Sequence, residues 1–247
     1  MRAVEEASER TRAGSRSLRV ARLSLFSVLM LLVTALLALV SSTPLFRFAP
    51  FESDVVNRML NYQLSALPVA GLALLLTFAC AGRIRLGYLN LNRRGEMRPV
   101  FGRSGGGRWE TDAWFIGSVM VAIVAVVTFF QLLPGGFTFH WVHVALIVPF
   151  AVMNAFTEEA IFRLPYVTMG DNDTNSRAYG LVMGSIVFGF IHFWGVAPNG
   201  FVGAIMSAAL GFFLAKSIQE TRGFFWAFMI HFTLNLAGMT FILNRSV

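Results

Sequence analysis

Cysteine is almost missing from this chain: Cys80 is the only one in 247 residues. One cysteine cannot close an intrachain bridge, which excludes a disulfide-stapled secreted module. Charge is scarce too. Asp, Glu, Lys and Arg make up 13% of the residues, half the share of about 25% in a soluble domain. Lysine is represented by Lys216 alone, the other 19 cations being Arg, a bias that suggests a GC-rich, bacterial genome. No internal repeat is visible. What is present is apolar: 56% hydrophobic residues, 25 Phe and a mean hydropathy of +0.65. A disordered chain is charge-rich and Phe-poor, and a water-soluble globule cannot keep this much apolar surface dry. The composition predicts an all-α, polytopic membrane helix bundle.

The net charge of +7 and pI near 10.7 also suit a nucleic-acid binder. Here, however, the arginines flank long apolar runs, and no soluble domain is left to carry such a site. No nucleic-acid partner is expected; the partner is the lipid bilayer.

Uncharged runs cover Leu23–Phe46 and Met59–Gly82, and no Asp, Glu, Lys or Arg occurs from Ala113 to Thr157. The first run exceeds the 7–15 residues of a signal-peptide core and matches the ~20 of a spanning helix. Pro134-Gly135-Gly136 splits the third stretch, and three more apolar segments fit 178–197, 200–215 and 224–243. About seven helices result, within a range of six to eight. The 200–215 segment is short for a span, and Pro149 and Pro165 should kink or end their helix. Thirteen of the twenty cations lie in 1–22 and 83–112, and cytoplasmic loops collect Arg. Residues 1–22 therefore form a cytoplasmic N-terminal arm. Residues 23–112 hold two spans and a basic cytoplasmic loop with the flexible Gly105-Gly106-Gly107, and 113–247 form a third unit. A count of seven places the C-terminal end outside. An integral protein of the bacterial cytoplasmic (inner) membrane is expected.

Ionisable groups within apolar helices cost about 2.5–3.5 kcal/mol each at mid-bilayer and mark functional sites. This chain has Glu158, Glu159 and Arg163 in helix 4, His192 in helix 5, and His231 with Asn235 in helix 7. Glu159 and Arg163, four apart, pair on one helix face. Glu158, offset by about 100°, has no helical partner of its own and is free to point into a cavity. His231 and Asn235 share a face, as do Phe188 and His192. Gly189, Gly195, Gly203 and Gly211 let helices approach closely. A carboxylate with a His suits deprotonation of water, and a His with an Asn suits hydrogen bonding to an oxyanion. The same groups also fit a structural ion-pair cluster, a His bridging to a backbone carbonyl, and a His/Asn link between helices. His140 and His143, beside Trp141, are expected to be interfacial and structural.

The segments Glu158-Glu159-Ala-Ile-Phe-Arg163, Phe188-Gly-Phe-Ile-His192 and His231-Phe-Thr-Leu-Asn235 resemble the EExxxR, FxxxH and HxxxN motifs of the CPBP intramembrane proteases. That family includes CAAX prenyl endopeptidases and bacteriocin-processing or self-immunity proteins. The resemblance covers about 140–240 and makes 113–247 a CPBP-like catalytic membrane domain. It implies that Glu158 and His192 activate the attacking water, that His231 and Asn235 stabilise the oxyanion, and that Glu159 and Arg163 brace the site. It also implies a helical cavity reached from the cytoplasmic side and from lipid, and eight helices where seven are counted here.

The expected activity is that of an intramembrane endopeptidase acting on a peptide or membrane-protein substrate. The alternatives are a non-proteolytic scaffold or self-immunity protein, and a proton-coupled transporter. No cofactor is favoured. Zinc, if used, would sit on Glu158, His192 and His231, but no HExxH sequence presets two His on one helical turn.

Overall fold

A computed structural model describes residues 2–82, 84–100, 106–172 and 176–245. Arg83, Arg103, Gly105 and the centre of the Asp171–Arg177 loop lie outside them. Among the described residues the chain forms eight α-helices: α1 (Arg2–Ser42), α2 (Asp54–Cys80), α3 (Trp109–Leu132), α4 (Trp141–Phe162), α5 (Leu164–Asp171), α6 (Arg177–His192), α7 (Gly200–Thr221) and α8 (Phe225–Leu243). A two-stranded antiparallel ribbon, β1 (Glu96–Met97) and β2 (Gly107–Arg108), sits in the basic loop. Six segments are long and apolar enough to cross a membrane, α4 and α5 counting as one, and α6 is a shorter apolar helix. The protein is thus an all-α polytopic membrane bundle.

Several boundaries differ from the sequence reading: α1 begins at Arg2, inside the expected N-terminal arm, and ends at Ser42 rather than Phe46, and two more differ near the C-terminal end. Helix α7 runs to Thr221, beyond the expected stop at 215, so it is long enough to span. Lys216 pairs with Glu220 one turn on, and Glu220 also accepts from Trp109 Nε1 at 2.9 Å, which lets the charged turn continue the helix. The shorter member of the pair is α6, which ends at His192 rather than 197. The extra helix comes from a break at Arg163 (φ −118°, ψ −60°). Pro165, in the first turn of α5, lacks the N–H that an unbroken helix would need there. Pro149, by contrast, stays inside α4.

Loops tie the bundle into two distinct ends. At the basic-loop end, Asn90 Nδ2 donates to Arg222 O at 2.9 Å, and Trp226 Nε1 to Arg93 O at 2.7 Å. Tyr88 donates to Asp171, which also holds Arg177 at 2.8 Å. Burial and that hydrogen bond push the Tyr88 phenol above its ordinary range, so it remains a donor. At the opposite end, Asn57 and Asn61 each make paired amide bonds to the backbone of Phe51 and Phe48 (2.7–3.1 Å). There too, Asn199 N donates to Gln131 Oε1 (2.9 Å) and His140 N to Asn244 Oδ1 (3.1 Å).

The apolar core runs from Phe26, Met30 and Val33 of α1 through Ala66 and Ala70 of α2 to Phe162, Tyr166 and Phe188. The most extensive helix pairing is α6 on α7. A Cβ on Gly189 would come within 2.6 Å of Ala204 O, so only glycine permits that approach. Gly195 plays no such part; it lies in the turn after α6, nearest its own His192 carbonyl.

Candidate active site

Four of the six residues singled out from the sequence line one cavity of about 1570 Å³: Glu158 from α4, His192 from α6, and His231 and Asn235 from α8. Glu159 and Arg163 do not reach it. Both are 0% exposed and lie behind the cavity wall. The six residues singled out from the sequence therefore come together in two tiers.

The rear tier is an ion pair sealed by aromatic rings. Arg163 Nη1 lies 3.3 Å from Glu159 Oε1, and its guanidinium sits over the Phe188 ring at 3.5 Å from the centroid. The ring face offers a desolvated cation partial compensation. The Phe of FxxxH thereby gains a physical role: it holds Arg163 on one side and packs its edge near His231, at 6.0 Å between centroids.

His231 joins the tiers. Its Nδ1 donates to Glu159 Oε1 at 2.6 Å, and its Nε2 lies 3.4 Å from Glu158 Oε2. A carboxylate on Nδ1 fixes the ring's orientation and proton placement. His192 is fixed differently. Its Nδ1 lies 2.8 Å from Phe188 O. A carbonyl only accepts, so that nitrogen carries the proton and Nε2 of the neutral ring is a bare acceptor.

The sequence reading gave Glu158 no helical partner. That expectation is corrected by Asn154, one turn earlier on the same face, whose Nδ2 donates to Glu158 Oε1 at 3.0 Å. Gln63 of α2 donates in turn to Asn154 Oδ1, also at 3.0 Å. This relay from α2 occupies Oε1 and leaves Oε2 without a hydrogen-bond partner among the described residues. The signal was available: Asn154 stands at i−4 to Glu158 in an otherwise apolar helix. Gln63, embedded in an uncharged run, had no local spacing to reveal it.

Asn235 is the second cavity-lining residue with an unsatisfied polar atom: its Nδ2 is buried and has no hydrogen-bond partner among the described residues. A buried unpaired amide donor is costly in a folded protein, and such donors are characteristic of sites that hold an anion only during reaction. His140 and His143 pack with tilted rings at the far end of α4, 4.9 Å between centroids, beside the exposed Trp141, and do not line the cavity.

His231 Nδ1 bonds Glu159 and its Nε2 faces Glu158, and among the described residues no group of three His, Cys, Asp or Glu side chains is placed to hold a metal ion.

Residues 140–237 match the family model described as type II CAAX prenyl endopeptidase Rce1-like. The matched stretch contains all three motifs and bears out the resemblance drawn from them. No curated protein and no solved structure matches the chain. In sequence, then, the region that builds the site is similar to a family of membrane proteases.

Proposed function

We propose that this chain is an intramembrane endopeptidase of the inner membrane that hydrolyses a peptide or membrane-protein substrate with a carboxylate-activated water. One observation carries the reading: Glu158, His192, His231 and Asn235 converge on one cavity, with Glu158 Oε2 and Asn235 Nδ2 making no hydrogen bond among the described residues. Glu158 Oε2 takes a proton from water, aided by the acceptor Nε2 of His192, and the hydroxide adds to the scissile carbonyl carbon. Asn235 Nδ2–H donates to the resulting oxyanion, joined by Nε2–H of His231, which the two carboxylates facing its ring nitrogens, Glu158 and Glu159, hold as an imidazolium. Collapse breaks the C–N bond, and the proton on Glu158 passes to the leaving amine. Glu159, backed by Arg163, holds His231 in place throughout.

Asn235→Ala tests the oxyanion role. Removing one such donor costs about 10²–10³ in rate. The expected result is that loss in kcat with KM little changed, measured on purified protein in proteoliposomes. A kcat within threefold of wild type would remove Asn235 from the mechanism.

The reaction is proposed to run without metal. Purified protein should carry substoichiometric zinc by elemental analysis and keep its activity in chelator. Stoichiometric zinc, with activity lost to chelator and restored by the metal, would replace this reading with a metalloprotease.

A further inference from the structure

A second, smaller cavity lies where α3 and α8 begin, and it shares no lining residue with the first. Its volume is about 570 Å³, within the roughly 300–1,000 Å³ of small-ligand pockets. Arg93, Arg94 and Arg108 line it against a single carboxylate, Glu110. That carboxylate is already occupied: Oε1 holds Arg108 at 2.8 Å, and Oε2 accepts from Gly95 N at 3.3 Å. The exposed side chains of Arg93 and Arg94 make no hydrogen bond or ion pair among the described residues.

Surface arginines are ordinarily solvated and mobile, but these two stand on a loop held at several points. Trp226 Nε1 donates to Arg93 O at 2.7 Å, Arg94 N to Asn92 Oδ1 at 3.2 Å, and Trp109 N to Gly95 O at 3.0 Å. Asn92 is anchored in turn by its Nδ2 on Thr221 O. The packing behind the loop leaves no slack: a Cβ on Gly223 would fall 2.2 Å from Asn92 O, and one on Gly95 2.8 Å from Glu220 O. Groups carried on a fixed backbone lose less freedom when a ligand binds.

The pocket also has a defined depth. The apolar spans of α3 and α8 start at Trp109 and Phe225, so the residues at these helix starts meet the membrane surface, where Arg and Trp collect. Trp114 and Phe225 complete the wall, Trp114 being 43% exposed. The Trp114 ring stands edge-on to Trp226 at 5.4 Å between centroids, which fixes it in place. One cavity thus joins two unpaired guanidinium groups to an apolar wall that continues into the bilayer. Guanidinium forks match phosphate oxygens, and basic pockets between membrane helices suit phospholipid headgroups.

We propose that this pocket binds the phosphate of an anionic phospholipid, with Arg93 and Arg94 on the phosphate oxygens and the glycerol backbone against Trp114 and Phe225. Arg108 adds charge without leaving Glu110. A zwitterionic lipid offers the same phosphate but brings a cationic headgroup, which three arginines repel. The site is independent of the proteolytic reading.

The full chain, purified in detergent, is titrated with phosphatidylglycerol or phosphatidylcholine and followed by native mass spectrometry. Wild type should retain one phosphatidylglycerol and bind phosphatidylcholine about tenfold more weakly. Arg93→Gln/Arg94→Gln should weaken phosphatidylglycerol binding by about tenfold or more. Arg16→Gln/Arg22→Gln, which removes the same charge from α1, should leave it within about threefold. Where the double variant does not fold, Arg94→Gln alone should show about a fivefold loss. Equal affinity in wild type and the pocket variants would overturn the proposal, as would an equal loss in the α1 variant or no preference between the two lipids. Inorganic phosphate competes for the same guanidinium groups. Lipid retained in phosphate buffer supports the lipid as occupant, whereas complete displacement by phosphate would make the site one for a soluble phosphate and overturn it.

Discussion

Glu158→Gln should abolish hydrolysis while leaving the protein folded. The amide is isosteric with the carboxylate, and its carbonyl oxygen can still accept the 3.0 Å hydrogen bond from Asn154. What is lost is the basic Oε2, which faces His231 Nε2 at 3.4 Å and makes no hydrogen bond among the described residues. Loss of a general base costs about 10²–10⁴ in rate, and no other carboxylate lines the cavity among the described residues. The check is turnover of a cleavable peptide by purified protein in proteoliposomes, alongside gel-filtration profiles of both forms. His192→Ala should fall in the same range. Residual activity above a tenth of wild type in Glu158→Gln would show that another group activates the water.

Glu159→Ala should act on stability first. Both Glu159 and Arg163 are 0% exposed, so truncation leaves a buried guanidinium facing little but the Phe188 ring. Removing one partner of a buried pair costs about 3–5 kcal/mol, a large share of a typical folding free energy of about 5–15 kcal/mol. The double variant Glu159→Leu/Arg163→Met removes both charges and should recover most of that stability. It should not recover turnover, because His231 Nδ1 has lost its acceptor, now at 2.6 Å. Thermal unfolding in detergent, read beside the turnover assay, separates the two effects. Equal Tm values for wild type and Glu159→Ala would show that the pair contributes nothing to the fold.

The parts of this site that could be read in the sequence are those set by helical period. Glu159 with Arg163, Phe188 with His192 and His231 with Asn235 each share a face because they lie four residues apart, and the structure pairs or co-locates each of them. Spacing also exposed Glu158 as the carboxylate turned away from Arg163. It did not expose the relay from Gln63 through Asn154, because contact between α2 and α4 spans 91 residues of sequence and leaves no periodic trace. Nor did it separate the cavity-lining tier from the buried one, which depends on how α6 and α8 close over Arg163. The break at Arg163 was foreshadowed by Pro165. The length of α7 was not, since Lys216 and Glu220 read as a polar boundary until their mutual pairing and Trp109 are seen.

The most direct test of the account as a whole is a comparison of polypeptide termini. Membranes of cells lacking this protein, complemented with wild type or with Glu158→Gln at equal expression, would be analysed by mass spectrometry for new N- and C-termini. The expected result is at least one matched pair of termini that appears with wild type and is missing with Glu158→Gln. Identical sets of termini in the two strains would contradict it.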